Sequence, residues 1–333
     1  MPNYILSARA VSKGAFVPEP GKPLFLEVPE EKPITTGISK FKIKGHQWLE
    51  RVQTTADARA GRRASEAGDV LVFVHGYNHS LDEIRQRHEM LQADLAAEGW
   101  RGLVVSFDWP NDPERDFDDR TDAAEIANYL VTSGLGLIIK GQNRGCQTNV
   151  HLLGHSTGAF VIMEAFAAAE KKAEFYKNDW RIGQVAFIGG DVSSRNLNLD
   201  SQAAEPMFRR IMRLTNYQNG FDDVLGMSSK RIDTDPRIGR VGLTEHAHPK
   251  AVNVDCSQYF SQLDPASQPK KVGWWNHSWH IGNRVFARDL AMTLEGRIDR
   301  NYLPTRDRQK GELVLRDAPR PTFEAKWFTM VDA

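Results

Sequence analysis

The sequence predicts an α/β fold, a mostly parallel central sheet flanked by helices on both faces. Two observations carry that expectation. From residue 69 onward, short apolar runs alternate with segments of helical length, and strands separated by such crossovers pair in parallel. The second is the pentapeptide Gly154-His155-Ser156-Thr157-Gly158, set between a run that reads as a strand and one that reads as a helix.

Residues 14–33 carry five prolines and read as extended chain and turns, with Leu24 to Val28 a strand. His46 to Glu66 reads as a polar helix ending near Gly68. Val70 to Val74 is wholly apolar and rich in valine, as expected of a strand covered on both faces. Ser80-Leu81-Asp82-Glu83 is a capping box that opens a helix to about Ala97. Leu103 to Phe107 is the next strand. A helix follows over roughly Asp122 to Ile139, weakened by Gly134 and Gly136. Val150 to Leu153 is a strand and Gly158 to Lys172 a helix rich in Ala, Met and Phe. Gln184 to Ile188, Ile211 to Thr215 and Ala251 to Cys256 complete the strands, and Asn283 to Arg297 reads as a closing helix. The last thirty residues, with Pro304, Pro319 and Pro321, read as an extended tail. The expected organisation is an N-terminal extension packed on the core (residues 1–68), a main domain (69–298) and a C-terminal tail (299–333).

Composition supports a packed core and excludes several classes of function. Of 333 residues, 41% are hydrophobic, a share typical of globular chains once glycine is counted. Lysine plus arginine balance aspartate plus glutamate at 43 each. The surplus positive charge needed for a general grip on nucleic acid or an anionic membrane is therefore lacking, and no nucleic-acid partner is expected. The longest apolar runs are far short of the ~20 residues of a membrane span, and the start of the chain lacks a secretory apolar stretch. Two cysteines, Cys146 and Cys256, build no disulfide framework, so a reducing cytoplasmic setting is expected.

Gly154 to Gly158 matches G-x-S-x-G. The strand before and helix after are the setting of a nucleophile elbow, a turn so tight that its neighbours must be small. It puts Ser156 at the carboxyl end of a strand, facing the positive end of a helix. His75-Gly76-Tyr77 closes the strand Val70 to Val74. Ester cleavage creates an oxyanion that needs backbone N–H groups aimed at it. Thr157, next after Ser156, and Tyr77 are the expected donors, with Gly76 letting the backbone come close.

With these residues in place, the chain resembles the α/β-hydrolase superfamily over about residues 69 to 298. Phe73-Val74-His75-Gly76-Tyr77-Asn78 and Phe107-Asp108-Trp109-Pro110 are similar to motifs of a bacterial family of α/β hydrolases whose physiological role is generally unassigned. The resemblance implies an α/β-hydrolase fold and serine-hydrolase chemistry, without specifying a substrate.

A serine hydroxyl needs a neighbouring base, usually His, oriented by a carboxylate, and the superfamily's chain order is Ser, then Asp or Glu, then His. By position alone the acid is Asp222, Asp223 or Asp191, each following a strand. The base is one of His246, His248, His277 and His280, which alone follow Asp222. The related family places an aspartate three residues before a leucine, which favours Asp222 ahead of Leu225. It carries His-Ser-aromatic before the last helix, which favours His277. His246 and His248 flank no third ligand, so no metal is expected. The acidic stretch 111–122 lacks the ligand spacing of a calcium loop and reads as a solvated loop. Tyr77, Trp109, Phe221, Trp274, Trp275 and Trp279 crowd the same loops. The substrate-pocket candidates are His75, Gly76, Trp109, His155, Phe221 and Trp275. The expectation is an esterase working through an acyl-enzyme on a small-molecule ester, without a cofactor. Amidase, peptidase, thioesterase or lipase activity with the same residues, and a catalytically silent binding module, are the alternatives.

Overall fold

The structure, a computed structural model, describes residues 1–34, 40–61, 68–77, 79–110, 126–136, 148–231, 235–267 and 274–321. Their strands are β1 (Asn3–Ser12), β2 (Ala15–Val28), β3 (Lys42–Ile43), β4 (Val70–Val74), β5 (Leu103–Asp108), β6 (Val150–His155), β7 (Ile182–Ile188), β8 (Ile211–Gln218), β9 (Ala251–Asp255), β10 (Arg306–Gln309) and β11 (Glu312–Leu315). They form one sheet in the order β10-β11-β9-β8-β7-β6-β4-β5-β1-β2-β3. The run from β11 to β1 is parallel throughout, and antiparallel pairs occur only at the two margins, β1–β2–β3 and β10–β11. This is the mostly parallel sheet the sequence predicts.

Helices cover both faces. On one side, α1 (Gly45–Ala60) and α3 (Thr157–Glu170) bring Trp48, Val52, Val161, Ile162 and Phe166 onto Val70, Val72, Val74, Val105 and Leu152. On the other, α2 (Leu81–Ala97) and α6 (Arg284–Glu295) bring Leu91, Leu95, Leu290 and Leu294 onto Leu71, Phe73, Val104 and Leu153. Alternate residues of β4 thus enter opposite cores, which is why that run carries no polar residue. Ser80 caps α2 by accepting the N–H of Glu83, and the Glu83 carboxylate accepts the N–H of Ser80 in return at 2.7 Å.

Several expected boundaries move. The first helix ends at Ala60, where the chain turns off at Gly61 (φ 68°), well before Gly68. Of the helix expected over 122–139, residues 126–136 are described, and Leu130–Leu135 is wound more loosely, as a π-helix. The structure adds a strand, β1, ahead of the strand the sequence predicts at Leu24 to Val28. It sits parallel to β5, with Tyr4, Leu6 and Ala8 joining the core under α1. The stretch after residue 299 is also not simply an extended tail. Residues 306–315 form a hairpin whose Leu313, Val314 and Leu315 are buried, β11 pairing with β9. Part of the expected tail, 322–333, lies outside the described residues, as does the acidic stretch 111–122.

The order of strands sets the position of a site. From β4 the chain steps outward to β5, then returns past β4 to lay β6 on its other side. The strand order therefore reverses between β4 and β6, and the carboxyl ends of the strands at such a reversal are the usual ligand position in these sheets. His75 follows β4 and Ser156 follows β6.

Candidate active site

Ser156 turns the chain from β6 into α3 with φ 56° and ψ −127°, a conformation that costs a non-glycine residue energy and persists only where its surroundings enforce it. The enforcement is visible. Its N–H donates to the Ile188 carbonyl at 3.1 Å, and its own carbonyl accepts the N–H groups of Ala159 (3.0 Å) and Asp191 (3.1 Å). The close approach is possible because Gly158 has no side chain: a Cβ there would stand 2.2 Å from the Val74 carbonyl oxygen. Thr157 is the first residue of α3, so its N–H has no acceptor within the helix and points out of the helix start.

His277 lies in the short helix α5 (Trp275–Ser278), and Asp222 in the loop between β8 and α4 (Asp223–Arg231). The His277 Nδ1 and Asp222 Oδ2 are 2.6 Å apart, with Asp222 fully buried and His277 almost so. The other Asp222 oxygen accepts the Leu225 N–H at 3.0 Å. An imidazole bonded in this way through Nδ1 keeps Nε2 as its second, basic nitrogen. The turn 188–191 joins this pair to Ser156: it hydrogen-bonds the Ser156 backbone, and a Cβ on its Gly189 would lie 3.1 Å from the His277 ring. His155 adds a second link, its Nε2 standing 3.2 Å from the His277 carbonyl and its ring 4.8 Å from the imidazole. The structure therefore gathers Ser156, His277 and Asp222 around one turn.

The competing residues have other side-chain partners. Asp191 is engaged by the buried Arg237 (3.0 Å) and by Ser228 Oγ (2.8 Å). Asp223 is exposed, accepting a hydrogen bond from Asn276 Nδ2 at 2.9 Å. His280 is stacked on Trp279 at 4.2 Å and against Phe286 in the apolar core, and burial holds its pKa well below the usual range. His246 is exposed beside Glu245, and His248 stacks on Phe208 at 4.0 Å.

The backbone after β4 lies directly against Ser156. A Cβ at Gly76 would stand 2.6 Å from the Cβ of Ser156, so only a bare backbone fits there. Tyr77 follows directly. His75 is buried. The Trp109 N–H donates to its Nε2 (3.1 Å), which leaves the ring proton on Nδ1, 2.6 Å from the Gly76 carbonyl. The Trp109 indole donates to the His75 carbonyl at 2.8 Å and stacks on its ring. Burial depresses the pKa values of His75, His79 and His155, more than offsetting the neighbouring Asp108 in the case of His75; repulsion from surrounding cations adds to the fall in His79 and His155. A layer of imidazoles runs from His75 past His79 and His155 to His277, with successive rings 5.8, 6.1 and 4.8 Å apart, and burial favours the neutral form of the first three. Beneath it Arg87 is buried, its Nη1 3.4 Å from His155 Nδ1, and burial lowers its pKa to about 10.

Among the pocket candidates, His75, Trp109 and His155 are buried and hold the loops together, whereas Phe221 is exposed and Trp275 half-buried. Phe221 is 51% exposed and packs near Phe260 (6.0 Å), which in turn meets Trp275 (5.6 Å). Trp274 is exposed and Trp279 lies in the core. Sequence reasoning missed four neighbours: His79, Arg87, Asn219 and Arg9. Asn219 ties the two loops that carry Asp222 and His277, accepting from the Phe221 N–H (3.1 Å) and donating to the Asn276 carbonyl (2.9 Å). Nothing in its sequence setting marks it apart from an ordinary turn asparagine.

Residues 52–263 match the model of a family described as alpha/beta hydrolase of unknown function (DUF900). Among solved structures, the chain is similar to the esterase domain of a Rhodothermus marinus protein, at 16% identity over 68% of this chain and 84% of that one, with a TM-score of 0.32. A metagenomic carboxyl esterase is similar at 14% identity over 71% and 82% of the two chains, with a TM-score of 0.32. A thioesterase of the prodiginine biosynthetic pathway of Streptomyces coelicolor is similar at 14% identity over 60% and 85%, with a TM-score of 0.24. No curated protein matches the chain. Among the described residues, no helix is long and apolar enough to cross a membrane.

Proposed function

Since the chain belongs to the DUF900 family of alpha/beta hydrolases, we propose that it is a serine hydrolase cleaving carboxylic esters of small molecules through an acyl-enzyme. The observation that carries this reading is the buried 2.6 Å contact between His277 and Asp222, held against the turn that also binds the strained Ser156 backbone. In the proposed reaction Ser156 Oγ attacks the ester carbonyl while His277 Nε2 takes the hydroxyl proton. Asp222 keeps the imidazole in its useful tautomer and balances the charge it gains. The carbonyl oxygen becomes an oxyanion, received by the N–H groups of Thr157 and Tyr77, and one such donor is typically worth about 10²–10³ in rate. The tetrahedral intermediate collapses, the C–O bond breaks, and His277 returns its proton to the departing alcohol. Water then attacks the acyl-serine as His277 again takes the proton; the bond to Ser156 Oγ breaks, His277 returns its proton to that oxygen, and the carboxylic acid leaves. Phe221 and Trp275 offer apolar surface at the mouth for the acyl or alcohol part.

The test uses p-nitrophenyl esters of graded acyl length and a fluorophosphonate probe. The full chain is expected to hydrolyse the shorter esters and to be labelled once, and Ser156→Ala to lose both. A folded Ser156→Ala protein that retains full activity would falsify the assignment.

A further inference from the structure

The loop between His75 and His79 must hold its position closely, because Gly76 abuts Ser156. Its first end is held by Trp109 through the two hydrogen bonds to His75. Its far end is held by a residue 70 positions earlier in the chain. Arg9, on β1, donates through Nη2 to the His79 carbonyl at 2.7 Å. The same guanidinium donates through Nε to Asp108 Oδ1 at 2.8 Å, and Ser7 Oγ, also on β1, donates to Asp108 Oδ2 at 2.5 Å. Asp108 is fully buried and directly precedes Trp109. One planar fork therefore fixes both the end of β5 and the far end of the loop. A lysine ammonium lacks that two-way geometry.

We propose that Arg9 is a positioning residue for the oxyanion-binding loop, so that the N-terminal strand, which lies before the matched segment 52–263, completes the catalytic unit. The inference rests on the hydrolase reading above. Arg9 touches no reacting atom, and it acts by holding the Tyr77 N–H where the oxyanion forms. Small displacements of such a group lower turnover while leaving ground-state binding alone.

The experiment compares wild type with Arg9→Lys, Arg9→Met and the double variant Arg9→Met/Asp108→Asn, which leaves no buried carboxylate without its cation. The readouts are kcat and KM on p-nitrophenyl acetate, the rate of fluorophosphonate labelling, and amide hydrogen exchange over residues 75–80. We expect kcat and labelling to fall about 10–100-fold in both Met variants with KM within about twofold, and exchange in the loop to quicken. Arg9→Lys is expected to fall between. A folded double variant with wild-type kcat and wild-type exchange would overturn the proposal. If wild type neither hydrolyses esters nor reacts with the probe, the hydrolase reading fails. Exchange then decides alone: unchanged protection refutes the anchoring, and lost protection upholds it.

Discussion

At the scale of single residues, two aspartates close to Ser156 in space have different partners, and that difference is testable. Asp222 faces an imidazole, whereas Asp191 faces a guanidinium. Asp222→Asn is expected to lower kcat about 10⁴-fold while the fold persists, because an amide favours the wrong tautomer of His277. Asp191→Asn is expected to leave kcat within about tenfold but to lower stability by roughly 3–5 kcal/mol, since it strands the buried Arg237. Ester kinetics and thermal melts on both variants check the pair, and the reverse pattern would exchange their roles. The sequence made Ser156 legible through its two glycines, and offered Asp222 and His277 only as members of short lists. Position after a strand is shared by Asp191, Asp222 and Asp223. What separates them is which cation or ring the fold brings near, and that depends on contacts such as Arg237 to Asp191, 46 positions apart in the chain.

At the scale of elements, the C-terminal hairpin depends on one buried ion pair. Arg306, at the start of β10, holds Asp289 of α6 through Nη2 at 2.6 Å and also bonds Thr293 at 2.6 Å; Asp289 in turn accepts from Tyr217 (2.7 Å) and Thr305 (2.5 Å). Burial disfavours the Asp289 charge, yet Arg306 and these donors hold its pKa below the ordinary carboxylate range. Arg306→Met is expected to cost about 3–5 kcal/mol, because a buried carboxylate loses its cation. A denaturant titration measures it, and a loss under about 1 kcal/mol would contradict the assigned role. The central strands β4, β5 and β6 are readable because both of their faces are buried and largely apolar. The marginal hairpins were not. Both turn on a Lys-Gly pair with positive φ at each residue, Lys13-Gly14 and Lys310-Gly311. Such turns ordinarily announce themselves with asparagine or aspartate before glycine, so lysine hid them. Proline further masked β2, whose pairing with β1 shifts register on both sides of Arg9 opposite Pro20.

At the scale of the whole molecule, buried histidines set how stability responds to acid. His88, bonded to Ser106 Oγ at 2.9 Å inside the core, has its pKa lowered to about 4 by burial. His75, His155 and His280 are shifted the same way. Below pH 6.5 the unfolded chain binds protons that the folded chain refuses, so stability declines as pH falls from 6.5 toward 4. His88 alone accounts for a loss on the order of 3 kcal/mol across that window. The depressed carboxylates Asp108 and Asp289 add their loss only further down, once pH falls below the usual carboxylate range. Calorimetry is expected to show a level Tm above pH 7 and a steep decline below 6.5, with His88→Asn recovering part of the slope. An unchanged Tm down to pH 4 would contradict this account. The sheet's margins carry a further consequence. The outward side of β5 is covered by β1, and that of β9 by β11, so the two termini supply the selvedges of the fabric. Cut back to residues 69–298, the chain would expose two raw rows of amides and carbonyls, each a template for another copy. Such a fragment should emerge from expression as stacked, insoluble multimers where the intact chain stays dispersed, so excising the segment that carries the chemistry would yield aggregate in place of a miniature enzyme.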